Sequence, residues 1–173
     1  IIRLSYGSEH NLFIEKTLGS RLTIGYEHIP NSFSTDEAED TKRDDLAGAL
    51  EGVEGGALNA VVNKVKVEFK NMYTVYAALN VTENFYLKAG MMSVDVITKE
   101  NLGTGGSYGD TSMDGTTMGV GYNKSFDNGI FVRAEGAYMD FDNITLSDTT
   151  NTKSITAKDI SGVKGTLSIG KSF

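Results

Sequence analysis

The chain has no cysteine, no tryptophan, one proline (Pro30) and two histidines (His10 and His28) among 173 residues. Without cysteine there is no disulfide framework and no thiolate metal site. Two histidines leave little for imidazole chemistry. No run of about eighteen apolar residues occurs, so a transmembrane helix is excluded. A membrane-spanning β-barrel is not excluded, because only alternate residues of its strands face lipid. The formal net charge of −7 argues against a nucleic-acid partner. The opening Ile1-Ile2-Arg3-Leu4-Ser5-Tyr6 lacks the basic head and apolar core of a signal peptide. An exported protein would therefore be seen here in mature or partial form. By length the chain is one domain, residues 1–173.

What the chain has is alternation with period two. Leu22, Ile24 and Tyr26 oppose Arg21, Thr23, Gly25 and Glu27. Val61, Val65, Val67, Phe69, Tyr73, Val75, Ala77 and Leu79 oppose Lys64, Lys66, Glu68, Lys70 and Thr74. The pattern recurs over Phe85–Met91, Met118–Asn123, Ile130–Tyr138 and Val163–Phe173, with an ambiguous phase past Met91-Met92 that suggests a bulge there. Strands following strands, with no helical pattern between them, predict an all-β antiparallel fold. The segment Ile2–Lys16 alternates without a break through Ile14, which favours one strand and a total of seven. Bacterial single-chain barrels have even strand numbers. Either an N-terminal strand is missing, or Gly7-Ser8-Glu9-His10 is a turn that splits the segment.

The connections alternate in length. Residues 31–60, 100–112 and 145–157 read as long loops. Leu18-Gly19-Ser20, Asn80–Asn84 and Asp127-Asn128-Gly129 read as tight turns. Long loops at one end and tight turns at the other describe an outer-membrane barrel with extracellular loops and periplasmic turns. The last nine residues, Gly165–Phe173, strengthen this: they alternate strictly and stop on an aromatic suited to a membrane interface.

Together, Leu167-Ser-Ile169-Gly-Lys-Ser-Phe173 and the segment Gly119–Arg133 resemble the small outer-membrane β-barrel family: the transmembrane domain of outer membrane protein A, outer membrane protein X and related porin-family barrels. The resemblance is one of architecture over nearly the whole chain. It implies an antiparallel, up-and-down transmembrane β-barrel with eight strands when complete, seven to eight of them in this chain. It also implies a Gram-negative outer-membrane location, with membrane lipid and lipopolysaccharide as surroundings. Leu167, Ile169 and Phe173 match the family's C-terminal assembly signal, which implies insertion by the barrel assembly machinery. Lys171 stands where that signal commonly has an aromatic.

The inward phase carries Arg21, Glu27, Lys64, Lys66, Glu68, Lys70, Arg133, Glu135 and Lys164. An eight-stranded barrel is just wide enough for side chains to fill. Charges of both signs should then pair across the lumen, since an unpaired buried charge is costly. That predicts a plugged, ion-paired interior and a structural or surface-interaction role. The alternative is a narrow, porin-like channel for small solutes. Val65, Val67, Phe69, Val75, Leu87, Val120, Val132 and Leu167 should form the outward belt. Phe85, Phe126 and Phe173 should mark the inner interface.

Residues 31–60 offer a surface partner site or a solvated loop, with Leu46, Leu50 and Val53 at roughly helical spacing. Asp110, Asp114, Asp140, Asp142 and Asp148 suit a solvated rim better than a calcium or magnesium site, because no twelve-residue calcium loop is present. His28 falls on the lipid-facing phase with no Gly-x-Ser-x-Gly motif to accompany it, so no enzyme activity and no cofactor is expected. A lipocalin would carry a Gly-x-Trp motif that a chain without tryptophan cannot hold. Its interior would also be the apolar phase, the reverse of what this chain reads.

Overall fold

Period-two alternation becomes strand after strand in the computed structural model, which describes residues 2–7, 11–30, 33–34, 36–43, 60–102, 107–147, 149 and 154–173. The strands are β1 (Ile2–Gly7), β2 (Leu12–Leu18), β3 (Leu22–Ile29), β4 (Phe33–Ser34), β5 (Ala38–Arg43) and β6 (Ala60–Asn80). They continue with β7 (Phe85–Leu102), β8 (Thr111–Ser125), β9 (Ile130–Phe141), β10 (Ile144–Ser147), β11 (Ser154–Ala157) and β12 (Ser161–Ser172). No helix occurs among the described residues. Antiparallel pairings run β1–β2, β2–β3, β3–β6, β6–β7, β7–β8, β8–β9, β9–β12 and β12–β1. The circuit returns to its start, so these eight strands form a closed ring.

The even strand number comes from the N-terminal segment, which is two strands and not the single one its alternation favours. Every β1–β2 partner pair joins two even or two odd positions, such as Leu4↔Ile14 and Ser5↔Phe13. The phase therefore carries straight from β1 into β2, and alternation alone cannot reveal the boundary between them.

A β-bulge sits on β6. From Lys70 to Tyr73 its partners on β7 advance only from Asp95 to Ser93. Asn71 takes a left-handed φ of 50° and donates from Nδ2 to Asp95 Oδ2 at 2.9 Å. One extra residue exchanges the two faces. Below the bulge Met72, Thr74, Tyr76 and Ala78 are buried, while Tyr73, Val75 and Leu79 are exposed. Above it, Phe69 and Val67 pair with the buried Val96 and Thr98 and pack against an apolar cluster. Val65, Val67 and Phe69 are therefore not belt residues, and Lys64, Lys66, Glu68 and Lys70 do not face the lumen. The bulge lies on β6 at Asn71, while the even residues of β7 from Met92 to Thr98 stay buried through the region whose phase looked ambiguous.

The remaining belt positions behave as expected. Val75, Leu87, Val120, Val132 and Leu167 are each between 40% and 67% exposed. Phe85, Phe126 and Phe173 are exposed at the end that carries the short turns, and Phe85 meets Tyr122 edge-on at 5.0 Å. In the Phe126–Gly129 turn, Gly129 takes φ +80° and its N–H donates to Phe126 O at 3.0 Å.

At the other end the long connections are partly strands. β5 pairs along Ala60–Val65 of β6, and β10 with β11 forms a separate hairpin. β7 runs on to Leu102 inside the expected 100–112 loop. The helical spacing of Leu46, Leu50 and Val53 lies outside the described residues, as does Asp148.

Candidate functional site: an ionic layer inside the barrel

Eight side chains from six strands meet in the lower lumen. Alternation turns Glu15 of β2, Glu27 of β3, Tyr76 of β6, Tyr86 and Lys88 of β7, and Arg133 and Glu135 of β9 inward, where all are buried. Lys164 of β12 joins them, with its side chain 10% exposed.

The geometry is a chain of alternating charge. Arg133 donates from its two terminal nitrogens to the two oxygens of Glu15 at 2.8 and 2.9 Å. Tyr76 donates to Glu15 Oε1 at 2.7 Å, and Tyr86 to Glu135 Oε2 at 2.5 Å. Lys88 bridges Glu135 Oε1 at 2.7 Å and Glu27 Oε2 at 3.0 Å. Glu27 Oε1 also accepts from Lys164 Nζ at 2.8 Å and from Asn11 Nδ2 at 2.6 Å. Arg133, Lys88 and Lys164 thus face Glu15, Glu27 and Glu135, so the layer is electrically balanced. Aromatic faces complete the shell: Arg133 lies 4.6 Å from the Phe13 ring centre, and Lys88 lies 4.0 Å from that of Tyr76. Desolvated ions need such complete pairing, since each lone charge would cost several kcal/mol.

Two glycines make room for the tyrosines. A Cβ on Gly121 would lie 2.1 Å from Tyr86 Cζ, and one on Gly25 would lie 2.3 Å from Tyr76 Cζ. Each glycine is the register partner of its tyrosine, so each ring lies across the neighbouring strand.

Above the ions the lumen turns apolar. Ile29, Met72, Met92, Val94, Val96, Met113 and Phe141 form a buried cluster, flanked by Val67, Phe69, Met139, Ile144 and Ile160.

Of the nine charged residues read as inward, the structure brings Glu27, Arg133, Glu135 and Lys164 into this layer. Arg21 sits exposed in the short turn before β3, where strand alternation no longer directs its side chain. Lys64, on the far side of the bulge, pairs with Glu37 at 2.9 Å and with Glu39. These hydrogen bonds, that to Glu39 foremost, raise the pKa of its ammonium. Lys70 holds Glu68 at 3.1 Å and lowers the pKa of its carboxyl. Lys66 is half-buried on the same strand. Sequence reasoning missed Glu15, Lys88, Tyr76, Tyr86 and Asn11. The signal for Glu15 and Lys88 was present, since each alternates with outward apolar neighbours. Tyr76 was legible in the same way, since it alternates with the outward Val75 and Ala77 below the bulge.

His28 lies at the top of β3 and stacks on Tyr73 at 4.5 Å between ring centres. Asp114, Asp140 and Asp142 are exposed, and Asp110 Oδ1 accepts from Thr98 N at 3.3 Å. Among the described residues no three histidine or carboxylate groups are placed to hold a metal ion.

No family model and no curated protein matches the chain. Among solved structures, it is similar to CarO2 of Acinetobacter baumannii, with a TM-score of 0.45 and 12% identity over 98% of this chain and 96% of that one. It is also similar to the outer membrane protease OmpT of Escherichia coli, with a TM-score of 0.41 and 17% identity over 94% of this chain and 62% of that one.

Proposed function

We propose that this chain is an integral protein of the bacterial outer membrane, a barrel with a closed, ion-paired lumen. Its role is structural or surface-interacting, carried by the segments at its long-connection end, and it performs no catalysis. The observation that carries this reading is the polarity of the wall. Leu12, Ile14, Val75, Leu87, Val120, Val132 and Leu167 are exposed, while Glu15, Glu27, Lys88, Arg133 and Glu135 are buried. A soluble barrel would waste the hydrophobic effect on such an arrangement, whereas a bilayer rewards it. Closure of the ring supports the same reading, because a spanning sheet must leave no edge in lipid. The exposed Leu167, Ile169 and Phe173 suit recognition during membrane insertion, and lipid with lipopolysaccharide would surround the belt.

The balanced ionic layer and the apolar cluster above it favour a plug over a small-solute channel. The test is refolding from urea into detergent, then reconstitution into planar bilayers. The expected result is heat-modifiable gel migration without steady current. A steady, ion-selective current would overturn the plug. Folding in water without detergent would overturn the membrane reading.

A further inference from the structure

The upper edge of the apolar belt is sharp on β7 and β8. Outward positions change from Leu87, Ala89 and Met91 to Ser93 and Asp95 on β7, and from Val120 and Met118 to Thr116 and Asp114 on β8. On β6 the last outward residue below the bulge is Tyr73. Tyr73, Ser93 and Asp114 are successive register partners, so they form one row across three laddered strands at that edge. Ser93 is the small member of the row. A cavity of about 420 Å³ lies over it on the outer face, lined also by Val75, Met91, Thr116 and Asp142.

The two sides of the cavity differ in chemistry. On the β6 side, His28 stacks on Tyr73 with 4.5 Å between ring centres and 6° between ring planes. His28 belongs to β3, so it covers the ring face turned away from β7 and leaves the other face to the cavity. On the β8 side stand the exposed carboxylates of Asp114 and Asp142. The Asp142 N–H donates to Asp114 O at 2.8 Å, which holds both at one lip. Neither carboxylate forms a salt bridge among the described residues. No lysine, arginine or histidine lines the cavity. Below it, the exposed register partners Val75 and Met91 continue into the belt.

We propose that this cavity holds the alkylammonium head of an amphiphile in the outer leaflet, with the hydrocarbon tail lying down the belt over Val75 and Met91. The inference rests on the membrane reading above. Charge complementarity selects a cation, and the spacing selects an organic one. The Cα atoms of Tyr73 and Asp114 are about 10 Å apart, two strand spacings. A cation over Ser93 is then within about 6 Å of the ring and about 4 Å of the carboxylate, the reach of cation–π and ion-pair contacts. A bare metal ion would need more oxygen ligands, and no three suitable groups are placed to supply them among the described residues. The volume lies within the usual range of ligand pockets.

The absence of native tryptophan makes the test direct. Tyr73→Trp keeps an aromatic face at the cavity and supplies the single fluorophore. Should it lose folded gel migration, Thr116→Trp supplies one at the other wall. Tyr122→Trp, exposed near the opposite end of the belt, is the control. The probe is hexadecyldimethylammonium with a nitroxide on its head, titrated into the folded barrel in uncharged dodecyl maltoside micelles. Tyr73→Trp should show saturable quenching at low probe, and Tyr122→Trp only quenching proportional to probe. Adding Asp114→Asn and Asp142→Asn should weaken the saturable component about tenfold, as loss of two partly exposed ion pairs would. Adding Glu83→Gln and Asp127→Asn, in the turns of the far end, should leave it unchanged. Proportional quenching at Tyr73→Trp, with the control quenched, overturns the inference alone. Saturable quenching that survives Asp114→Asn with Asp142→Asn does the same. Equal quenching by stearic acid with its nitroxide beside the carboxyl overturns the choice of a cation. Equal quenching by a trimethylammonium nitroxide without a tail overturns the amphiphile. An unquenched Tyr122→Trp overturns the membrane reading and the inference with it.

Discussion

Arg133 on β9 and Glu15 on β2 grip each other through two parallel hydrogen bonds across the lumen, although 118 residues separate them in the chain. This fork joins strands that are not neighbours in the ring, so it braces the barrel across its width. Bidentate guanidinium–carboxylate pairing has a fixed geometry that a lysine would not reproduce. Arg133→Ala should destabilise the barrel by about 3–5 kcal/mol, because it leaves the buried Glu15 carboxylate without its counter-charge. The double variant Glu15→Gln/Arg133→Met should lose much less than the sum of the single changes. Urea unfolding in detergent micelles measures both.

Glu135 accepts from Lys88 and from Tyr86 at once. Glu135→Ala should lower the melting temperature without opening a conductance, because the apolar cluster above the ions stays intact. Melting followed by circular dichroism, together with bilayer recording of the same variant, checks both halves. Unchanged melting with altered ion selectivity would point to a water-filled lumen instead.

The Tyr86 ring covers Gly121. Gly121→Ala should cost about 1–3 kcal/mol, since the added methyl must displace a ring already held by Glu135. Combining it with Tyr86→Ala should remove the clash, so the double variant should be less unstable than the two single costs predict. A double-mutant cycle by urea unfolding gives the coupling directly.

The belt and the extension above the bulge should respond oppositely to charge. Val120→Arg should cost about 2–4 kcal/mol if the residue lies near the bilayer midplane. Lys66→Ala, on the extension of β6, should stay within about 0.5 kcal/mol of the parent. Equal responses in lipid vesicles would contradict the assignment of the belt.

Deleting Asn71 should restore one-for-one pairing, with Lys70, Met72 and Tyr73 opposite Asp95, Val94 and Ser93, so Val67 and Phe69 should keep their inward faces and their partners Thr98 and Val96. The β5–β6–β7 extension should stay as protease-resistant as in the parent, and the barrel should keep its folded gel migration. Limited proteolysis followed by mass spectrometry locates the cuts.

Local chemistry was enough to determine the class of this protein. Period-two alternation without helical segments dictated an all-β chain, and the rhythm of tight turns dictated an up-and-down path. Glu27, Arg133, Glu135 and Lys164 were legible as lumen groups because each sits on a strand whose neighbours alternate with them. Leu167, Ile169 and Phe173 were legible in the same way. Tertiary structure decided the rest, because parity along a strand is blind to two events. Two paired strands whose partner positions share parity preserve the pattern, so β1 and β2 read as one strand. A single inserted residue reverses the pattern, so Val65, Val67 and Phe69 exchanged faces with Lys64, Lys66, Glu68 and Lys70 at Asn71. The partners of each charge were also beyond the sequence: Glu15 and Arg133, or Lys88 and Glu27, meet only when the ring closes and brings distant strands to within hydrogen-bonding distance.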